Sequence, residues 1–111
     1  MRTSRGDGVK IRRRYIAFRV SGGRIDRERV VDILRSLLQQ VSIDAPEAEP
    51  KLILYDEASQ RGLLRCGHRL LAQVKDKIGG VEGIDGKSAK FVILGVSGTI
   101  KAAKRKFLSP R

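Results

Sequence analysis

The chain has 111 residues, of which 41% are hydrophobic, and its formal net charge at pH 7 is +12. This length suits one domain with one modest core, and no apolar run approaches the roughly 20 residues that a membrane span needs. A single cysteine, Cys66, excludes an internal disulfide and a cysteine cluster for zinc. The first residues lack the apolar block of a secretory signal, so we expect a cytoplasmic protein that does not contact membranes.

The positive charge is concentrated in particular segments of the chain. Residues 1–20 hold seven Lys and Arg against one acidic residue, and residues 101–111 hold five with none. Residues 21–60 hold five basic and eight acidic residues, a local net charge of −3. The charged surface of a thermophilic protein would mix both signs. Segregated positive charge instead favours a polyanionic partner, most often nucleic acid.

The first half of the chain predicts an arm, a strand and a helix. Residues 1–11 contain glycines and scattered charges, and we expect a flexible basic arm there, before one domain at 12–111. Residues 14–20, RYIAFRV, alternate in polarity and predict a strand. Asp26 is the predicted N-cap of a helix that should end before an acidic, proline-bracketed segment at 44–50. Helical spacing relates the apolar residues of this helix, which are Val30, Ile33, Leu34, Leu37 and Val41.

The second half predicts a hairpin, a second helix, a fourth strand and a C-terminal helix. Residues 51–56, KLILYD, and 61–66, RGLLRC, read as two strands joined by the turn EASQ. A helix is expected from Gly67 or His68 to Ile78, where two glycines follow as a stop signal. Residues 89–97 predict the last strand, after which a helix is expected.

This order, βαββαβ plus one helix, predicts an α+β fold of the ferredoxin-like or RRM-like type. In that fold two helices cover one face of a four-stranded antiparallel sheet, and the other face is commonly solvated. The segments LILY and FVILGV are apolar on both faces, so we expect a cover on the second face too. The C-terminal helix could supply it through Ile100, Ala103 and Phe107; the alternatives are a protein partner or self-association.

The C-terminal helix carries Lys101, Lys104, Arg105 and Lys106 without a carboxylate. A cation in the first turn opposes the helix dipole, and Lys101 and Arg105 form a like-charged pair one turn apart. A phosphate bound by the helix N-terminus would make Lys101 a second ligand. The alternative is that Ser97 or Thr99 simply caps the helix. We call the predicted RNA-binding residues of this segment the C-terminal basic group: Ser97, Gly98, Thr99, Lys101, Lys104 and Arg105.

A second predicted RNA-binding set, the N-terminal basic group, consists of Arg12, Arg13, Arg14 and Arg19. Basic arms of this kind commonly become ordered on RNA or DNA, and the alternative is a solvated run of charge. Tyr15 and Arg19 share a strand face, as the base-stacking residues of RNA-recognition modules do. The third strand offers no aromatic residue, which disfavours base stacking on this sheet.

We predict no catalytic residue, metal site or cofactor site on this chain. His68, the sole histidine, has no partner at a motif spacing and is expected at a helix entry or in the core. Cys66 should pack in a strand as a small apolar group. Asp56 and Glu57 fall at a hairpin turn, where solvation is the usual explanation. The glycine-rich segment GGVEGIDG lacks the Lys-Ser/Thr of a P-loop.

Three segments, RRRYIAFRV, RGLLRCGHRLLAQV and GVSGTIKAAKRKFL, resemble the archaeal ribonuclease P protein component 2 family, which is also found as a subunit of eukaryotic ribonuclease P. The resemblance covers roughly residues 12–108 and departs at Ala102, where lysine is common in the family. It implies a subunit of the ribonucleoprotein that removes the 5′ leader from precursor tRNA, in which RNA with bound magnesium is the catalyst. It also implies that the partners are ribonuclease P RNA, precursor tRNA, the TIM-barrel-like protein component 3 and other protein subunits.

Three alternatives compete with this interpretation. The first is a general RNA-binding protein of another ribonucleoprotein, and the second is a protein-binding scaffold whose charge is incidental. The third is a small enzyme, since FRVSGGR is superficially similar to the phosphate-binding loop of acylphosphatases, which share the ferredoxin-like layout. The full loop pattern and its asparagine partner are absent from the sequence, which disfavours the enzyme.

Overall fold

The computed structural model of the chain describes residues 12–39, 49–81, 83 and 89–108. The expected arm at 1–11, Val41 and most of the acidic segment lie outside these residues. The elements are β1 (Arg13–Ser21), α1 (Arg27–Leu38), β2 (Lys51–Asp56), β3 (Arg61–Gly67), α2 (Leu71–Gly79), β4 (Lys90–Ser97) and α3 (Ile100–Ala103). A 3₁₀ turn, His68–Leu70, leads into α2, and a π-helical turn, Lys104–Leu108, extends α3.

The four strands form one antiparallel sheet in the order β2-β3-β1-β4. Two helices, α1 and α2, pack on one face, and α3 with its π-helical turn packs on the other. This confirms the ferredoxin-like βαββαβ prediction and its additional C-terminal helix. Among the described residues, no helix combines the length and the apolar character that crossing a bilayer would need.

The main core lies between the sheet and the helices α1 and α2. Phe18 of β1 is fully buried at its centre, where its ring stacks on Tyr55 at a centroid distance of 6.3 Å and meets the edge of Phe91 at 5.4 Å. The two helices contribute buried side chains at helical spacing: Val30 and Leu34 from α1, as predicted, and Val74 and Ile78 from α2. Burying four such side chains contributes about 1.5–3 kcal/mol each.

Helix α1 begins where the sequence predicts. The side chain of Asp26 accepts a hydrogen bond from the backbone N–H of Arg29 at 2.9 Å, as an N-cap does. A second carboxylate contributes, since Glu57 accepts from the N–H of Arg27 at 2.8 Å. The β2–β3 turn is thereby attached to the start of α1.

The second face of the sheet is covered by the C-terminal segment of the same chain. Tyr15, Ala17 and Leu63 on the central strands are buried together with Ala103 of α3. Ile100, Phe107 and Leu108 pack against this cluster and are partly buried. Of the three covers that the sequence left open, the structure therefore contains the C-terminal helix.

Two register shifts enlarge this second apolar face. Ala17 pairs with Gly95 but Phe18 pairs with Ile93, so Leu94 is an extra residue in β4. A similar shift between Leu52 and Leu54 leaves Ile53 unpaired in β2. Both extra residues pack in the cluster under α3. Such bulges also interrupt the two edge strands, which limits edge-to-edge pairing with other chains.

Gln60 connects the β2–β3 turn to the end of β1. Its backbone is in the left-handed region, with φ of 56°, and its side chain is buried. The side-chain amide donates to the carbonyls of Val20 and Gly23 at 3.0 and 2.6 Å and accepts from the N–H of Ile25 at 3.0 Å. One side chain thus satisfies three backbone groups in the segment between β1 and α1.

Candidate nucleic-acid interface

The helix α3 starts at a turn that leaves backbone atoms accessible. Thr99 caps the helix, because its hydroxyl accepts a hydrogen bond from the N–H of Ala102 at 3.1 Å. The capping alternative is therefore correct for Thr99. It does not exclude anion binding, since the cap occupies one of the several N–H groups that lack an intrahelical partner in a first turn. Gly98 is exposed, and a β-carbon added to it would meet no atom within 4 Å.

The outer face of α3 and its π-helical turn is cationic. Lys101, Lys104 and Arg105 are exposed, whereas Ala103 on the opposite side is fully buried against the sheet. The segment from 97 to 111 has no acidic residue. The apolar contacts of α3 therefore hold a row of positive charges toward solvent. Ser97 differs from the rest of the C-terminal basic group, because only 6% of its surface is exposed.

The start of β1 lies beside this turn. Tyr15 pairs with Ser97 across β1 and β4, and Arg13 is two residues before Tyr15 on the same strand face. Arg12 and Arg13 are both exposed. The backbone of Arg12 is held by the 3₁₀ turn, since its carbonyl accepts from the N–H of His68 at 2.7 Å. The end of the sheet at which β1 begins thus brings Arg12 and Arg13 close to the C-terminal basic group.

The other two residues of the N-terminal basic group lie elsewhere. Strand alternation places Arg14 on the helix-covered side, and its guanidinium donates to the carbonyl of Arg13 at 3.0 Å. Arg19 is near the opposite end of β1, where it pairs with Arg61 and Val92. The sequence grouped these four arginines by proximity along the chain. In the sheet only Arg12 and Arg13 adjoin the turn at 97–99.

The sheet offers no platform for base stacking at Tyr15. Its ring is 9% exposed and belongs to the cluster beneath α3. The structure therefore disfavours base stacking on this sheet, as the sequence did. The basic surface can instead contact phosphates through Arg and Lys, which position nucleic acid without reading its bases.

Residues with catalytic potential have structural roles here. Burial raises the pKa of the Cys66 thiol to about 11, so it remains protonated at neutral pH, as expected of a small apolar group. The Nδ1 atom of His68 lies 3.2 Å from the carbonyl of Arg12, at the entry to the helix as predicted. A hydrogen bond from Ser59 is the main cause that lowers the pKa of Asp56. No group of three or more His, Cys, Asp or Glu suited to a metal is found among the described residues.

The loop that is superficially similar to an acylphosphatase loop is already occupied. Gly22 has a positive φ of 97°, which a tight loop requires. However, the side chain of Gln60 bonds to the carbonyls of Val20 and Gly23 and to the N–H of Ile25. A phosphate loop needs several free N–H groups that converge on the anion. The Gln60 contacts therefore argue against phosphate binding in this loop.

Two arginines that the sequence prediction did not include lie on the α3 side of the sheet. Arg61 and Arg65 flank Leu63 on β3 at intervals of two residues, so all three share one strand face. Among the residues that the structure describes, the buried Nε atoms of both arginines have no hydrogen-bond partner. The period of two in RGLLR could have indicated their common face. Their neighbours on β1 and β2 depend on register, which no local pattern reveals.

These features define a ferredoxin-like α+β domain whose second sheet face carries a cationic helix suited to contact with nucleic acid. A sequence model of the Rpp14/Pop5 family matches residues 14–108, and the chain belongs to this family. The match spans all the strands and helices except the first residue of β1. It therefore includes both the turn at 97–99 and the basic helix.

Similar proteins are found among archaea. The ribonuclease P protein component 2 of Pyrococcus furiosus is 38% identical over 104 residues, which cover 91% of this chain and 87% of that protein. Its namesake in Thermococcus gammatolerans is 36% identical over 107 residues, with the same coverage of 91% and 87%. The component 2 of Methanocaldococcus jannaschii is 34% identical over 103 residues, which cover 90% of this chain and 75% of that protein.

A solved structure shares the fold. A chain in the cryo-EM structure of yeast ribonuclease MRP superposes on this one with a TM-score of 0.63 and 16% sequence identity. The superposition covers 82% of this chain and 77% of that chain. At this identity the likeness shows a common fold alone.

Proposed function

We propose that the chain is a protein subunit of ribonuclease P, where it supports the catalytic RNA in removing the 5′ leader from precursor tRNA. Its relatives carry the name ribonuclease P protein component 2 and match nearly the whole chain. The observation that carries the proposal is the surface on which α3 and its π-helical turn expose Lys101, Lys104 and Arg105 beside the open turn at Gly98. This surface has the charge and the accessibility that contact with RNA phosphates requires.

The two basic groups have different parts in this proposal. Lys101 and Arg105 are exposed one helical turn apart and would each neutralise a phosphate. Gly98 leaves room for a phosphate oxygen near the backbone, and Thr99 holds the first turn in place. Arg12 and Arg13 extend the contact along the end of the sheet at which β1 begins. Arg14 and Arg19 do not face this surface, and Ser97 is buried, so we assign them weaker contributions.

Catalysis is assigned to the RNA rather than to this chain. Hydrolysis of a phosphodiester by magnesium needs oxygen ligands that hold the metal. In the described parts of the chain, the carboxylates of Asp56 and Glu57 accept hydrogen bonds from the turn and from α1. We propose that magnesium is held by the RNA. The contribution of this chain is to reduce repulsion between RNA phosphates and to stabilise the active RNA shape.

We propose the other subunits of a ribonuclease P particle as partners, among them protein component 3, together with the ribonuclease P RNA and precursor tRNA. Self-association through the second sheet face has less support. Tyr15, Ala17 and Leu63 on that face are already buried by α3. A second copy could use this face only if α3 were displaced.

The test is recovery of the tagged full-length protein from its native cells at moderate salt, with sequencing of the RNA that accompanies it. We expect enrichment of one structured RNA, and we expect the recovered particle to cleave precursor tRNA when magnesium is supplied. A variant with Arg35→Ala and Lys75→Ala, which removes two exposed charges from the helix layer, serves as the control. Recovery of ribosomal RNA, of no RNA, or of an RNA without this activity would contradict the proposal.

A further inference from the structure

A row of four residues crosses the sheet at the end where β1 begins. Lys51 of β2 pairs with Arg65 of β3, Arg65 pairs with Tyr15 of β1, and Tyr15 pairs with Ser97 of β4. Directly paired residues project to the same face. For this row it is the face of Leu63, which α3 covers in part. The row therefore connects two cations on β2 and β3 to the turn that starts α3.

The two cations are poorly accommodated by the protein alone. Like charges directly opposite each other on neighbouring strands destabilise a sheet, because their β-carbons are about 4.5–5.5 Å apart. Within the described parts of the chain, neither Lys51 nor Arg65 forms an ion pair with a carboxylate. The Nε atom of Arg65 is buried and has no hydrogen-bond partner. A buried donor without a partner costs free energy, and the protein does not offset this cost at Arg65.

Arg61 provides a comparison on the same strand face. Its Nε atom is also buried without a partner. However, its Nη1 atom donates to the carbonyl of Phe107 at 3.1 Å, and its paired residue on β2 is the acidic Asp56. Arg61 is thus explained by its contact with the end of the C-terminal segment. In the part of the chain that the structure describes, Arg65 has no corresponding hydrogen bond.

We propose that Arg65 and Lys51 each bind a backbone phosphate of RNA, in a site continuous with the turn at 97–99. Two strand spacings, about 10 Å in total, separate Arg65 from Ser97. Arg13 lies on the same face, two residues before Tyr15, and is exposed. One RNA strand that crosses this end of the sheet can therefore contact the turn, Arg13 and the Lys51–Arg65 pair. Arginine suits the site because its guanidinium binds phosphate through two parallel hydrogen bonds.

This inference rests on the proposed function and extends it to β2 and β3. The probe is the ribonuclease P RNA transcribed from the same genome, and the readout is the slope of log K against log salt concentration for the full-length chain. Each lost phosphate contact reduces the magnitude of this slope by about 0.7–0.9. We therefore expect Lys51→Gln combined with Arg65→Gln to reduce it by about 1.4–1.8. The matched control, Lys75→Gln with Lys90→Gln, removes two exposed charges from α2 and from the start of β4, at the opposite end of the sheet, and should retain the wild-type slope.

Two further variants separate phosphate binding from an effect on folding. Lys51→Gln alone changes an exposed side chain and should reduce the magnitude of the slope by about 0.7–0.9 with unchanged urea unfolding. Arg65→Lys retains the charge and should retain most of the slope. A wild-type slope in the folded Lys51→Gln variant would overturn the inference, as would an equal loss in the control pair.

The outcomes also separate this inference from the proposed function. If the wild-type chain does not bind the RNA, both fail. If it binds, and Lys101→Ala with Arg105→Ala changes the slope while Lys51→Gln with Arg65→Gln does not, only this inference fails. A reduced slope in both double variants supports one continuous interface.

Discussion

The ring of Phe107 lies over Gly95 of β4 and occupies the space that a β-carbon at position 95 would need. The bulge at Leu94 turns Gly95 toward the second face of the sheet, where it pairs with the buried Ala17. Since α3 and its π-helical turn are short, this contact is one of few that hold the cationic surface against the sheet. The packing of Phe107 on Gly95 therefore helps to position the basic residues of this segment.

Substitution of Gly95 should displace the C-terminal segment. In the Gly95→Ala variant the methyl group would overlap the Phe107 ring, and relieving such overpacking costs about 1–3 kcal/mol. Urea denaturation measures the loss. Gly98→Ala is the matched control, because its methyl group would enter open space and its φ is not positive. Equal stabilities of the two variants would contradict the Phe107 contact.

Loss of the Arg61 side-chain contact should loosen the end of the same segment. The Arg61→Met variant keeps the apolar stem but removes the donor to the Phe107 carbonyl, a charged hydrogen bond worth about 1.5–3 kcal/mol. We expect faster tryptic cleavage after Lys104, Arg105 and Lys106, with unchanged cleavage at the other Lys and Arg residues apart from the site that the substitution removes at position 61. The exposed Arg69 provides the control variant, Arg69→Met. Unaltered cleavage in Arg61→Met would show that the contact does not hold the segment.

The Gln60 side chain should be essential for the segment between β1 and α1. Gln60→Ala leaves the N–H of Ile25 and the carbonyls of Val20 and Gly23 without their partner. Each unsatisfied buried group costs about 1–3 kcal/mol, so a large decrease in the free energy of unfolding is expected. Ser59→Ala, at an exposed position of the same turn, should change it by less than about 1 kcal/mol. Similar effects of the two substitutions would argue against the bridging role of Gln60.

Cys66 should make unfolding pH-dependent in the alkaline range. Burial raises the pKa of its thiol from 9.0 to about 11, so the thiol ionises earlier in the unfolded chain than in the folded one. The stabilisation is therefore complete below pH 9 and is lost as the pH rises toward 11. Unfolding of wild type and Cys66→Ala, measured in urea at pH 8 and pH 11, should show a larger decrease for wild type.

Tyr55 does not confound this comparison. Burial, followed by the charge of Glu57, raises the pKa of its phenol, and the hydroxyl donates to the carbonyl of Ile25 at 2.9 Å. This contribution is present in both proteins, so it cancels in the difference. Identical pH dependence in wild type and Cys66→Ala would contradict the buried, neutral thiol.

Local patterns were sufficient to predict the elements and their order. The spacing of Val30 and Leu34 predicted α1, and the carboxylate of Asp26 predicted its start, because both are interactions within a few residues. The apolar character of LILY and FVILGV predicted a cover on the second sheet face, since such surface is unfavourable in water. The C-terminal helix that provides this cover was one of the three covers that the sequence left open.

Contacts that depend on cross-strand register were not predictable in the same way. The bulges at Ile53 and Leu94 shift the pairing by one residue, and neither strand has a local sequence pattern that predicts its bulge. The bridging role of Gln60 involves residues 35 to 40 positions away along the chain. The N-terminal basic group was assigned from adjacency in sequence, whereas strand alternation directs Arg13 and Arg14 to opposite faces. The same dependence on register kept Arg65 out of the predicted site.

The exposed cations of α3 and its π-helical turn are proposed to bind RNA phosphates. The most direct test is the salt dependence of binding to ribonuclease P RNA by wild type and by Lys101→Ala combined with Arg105→Ala. Both side chains are exposed, so the fold should survive, as circular dichroism can verify. We expect the magnitude of the salt slope to fall by about 1.4–1.8, with unchanged base preference. An unchanged slope in the folded double variant would contradict it.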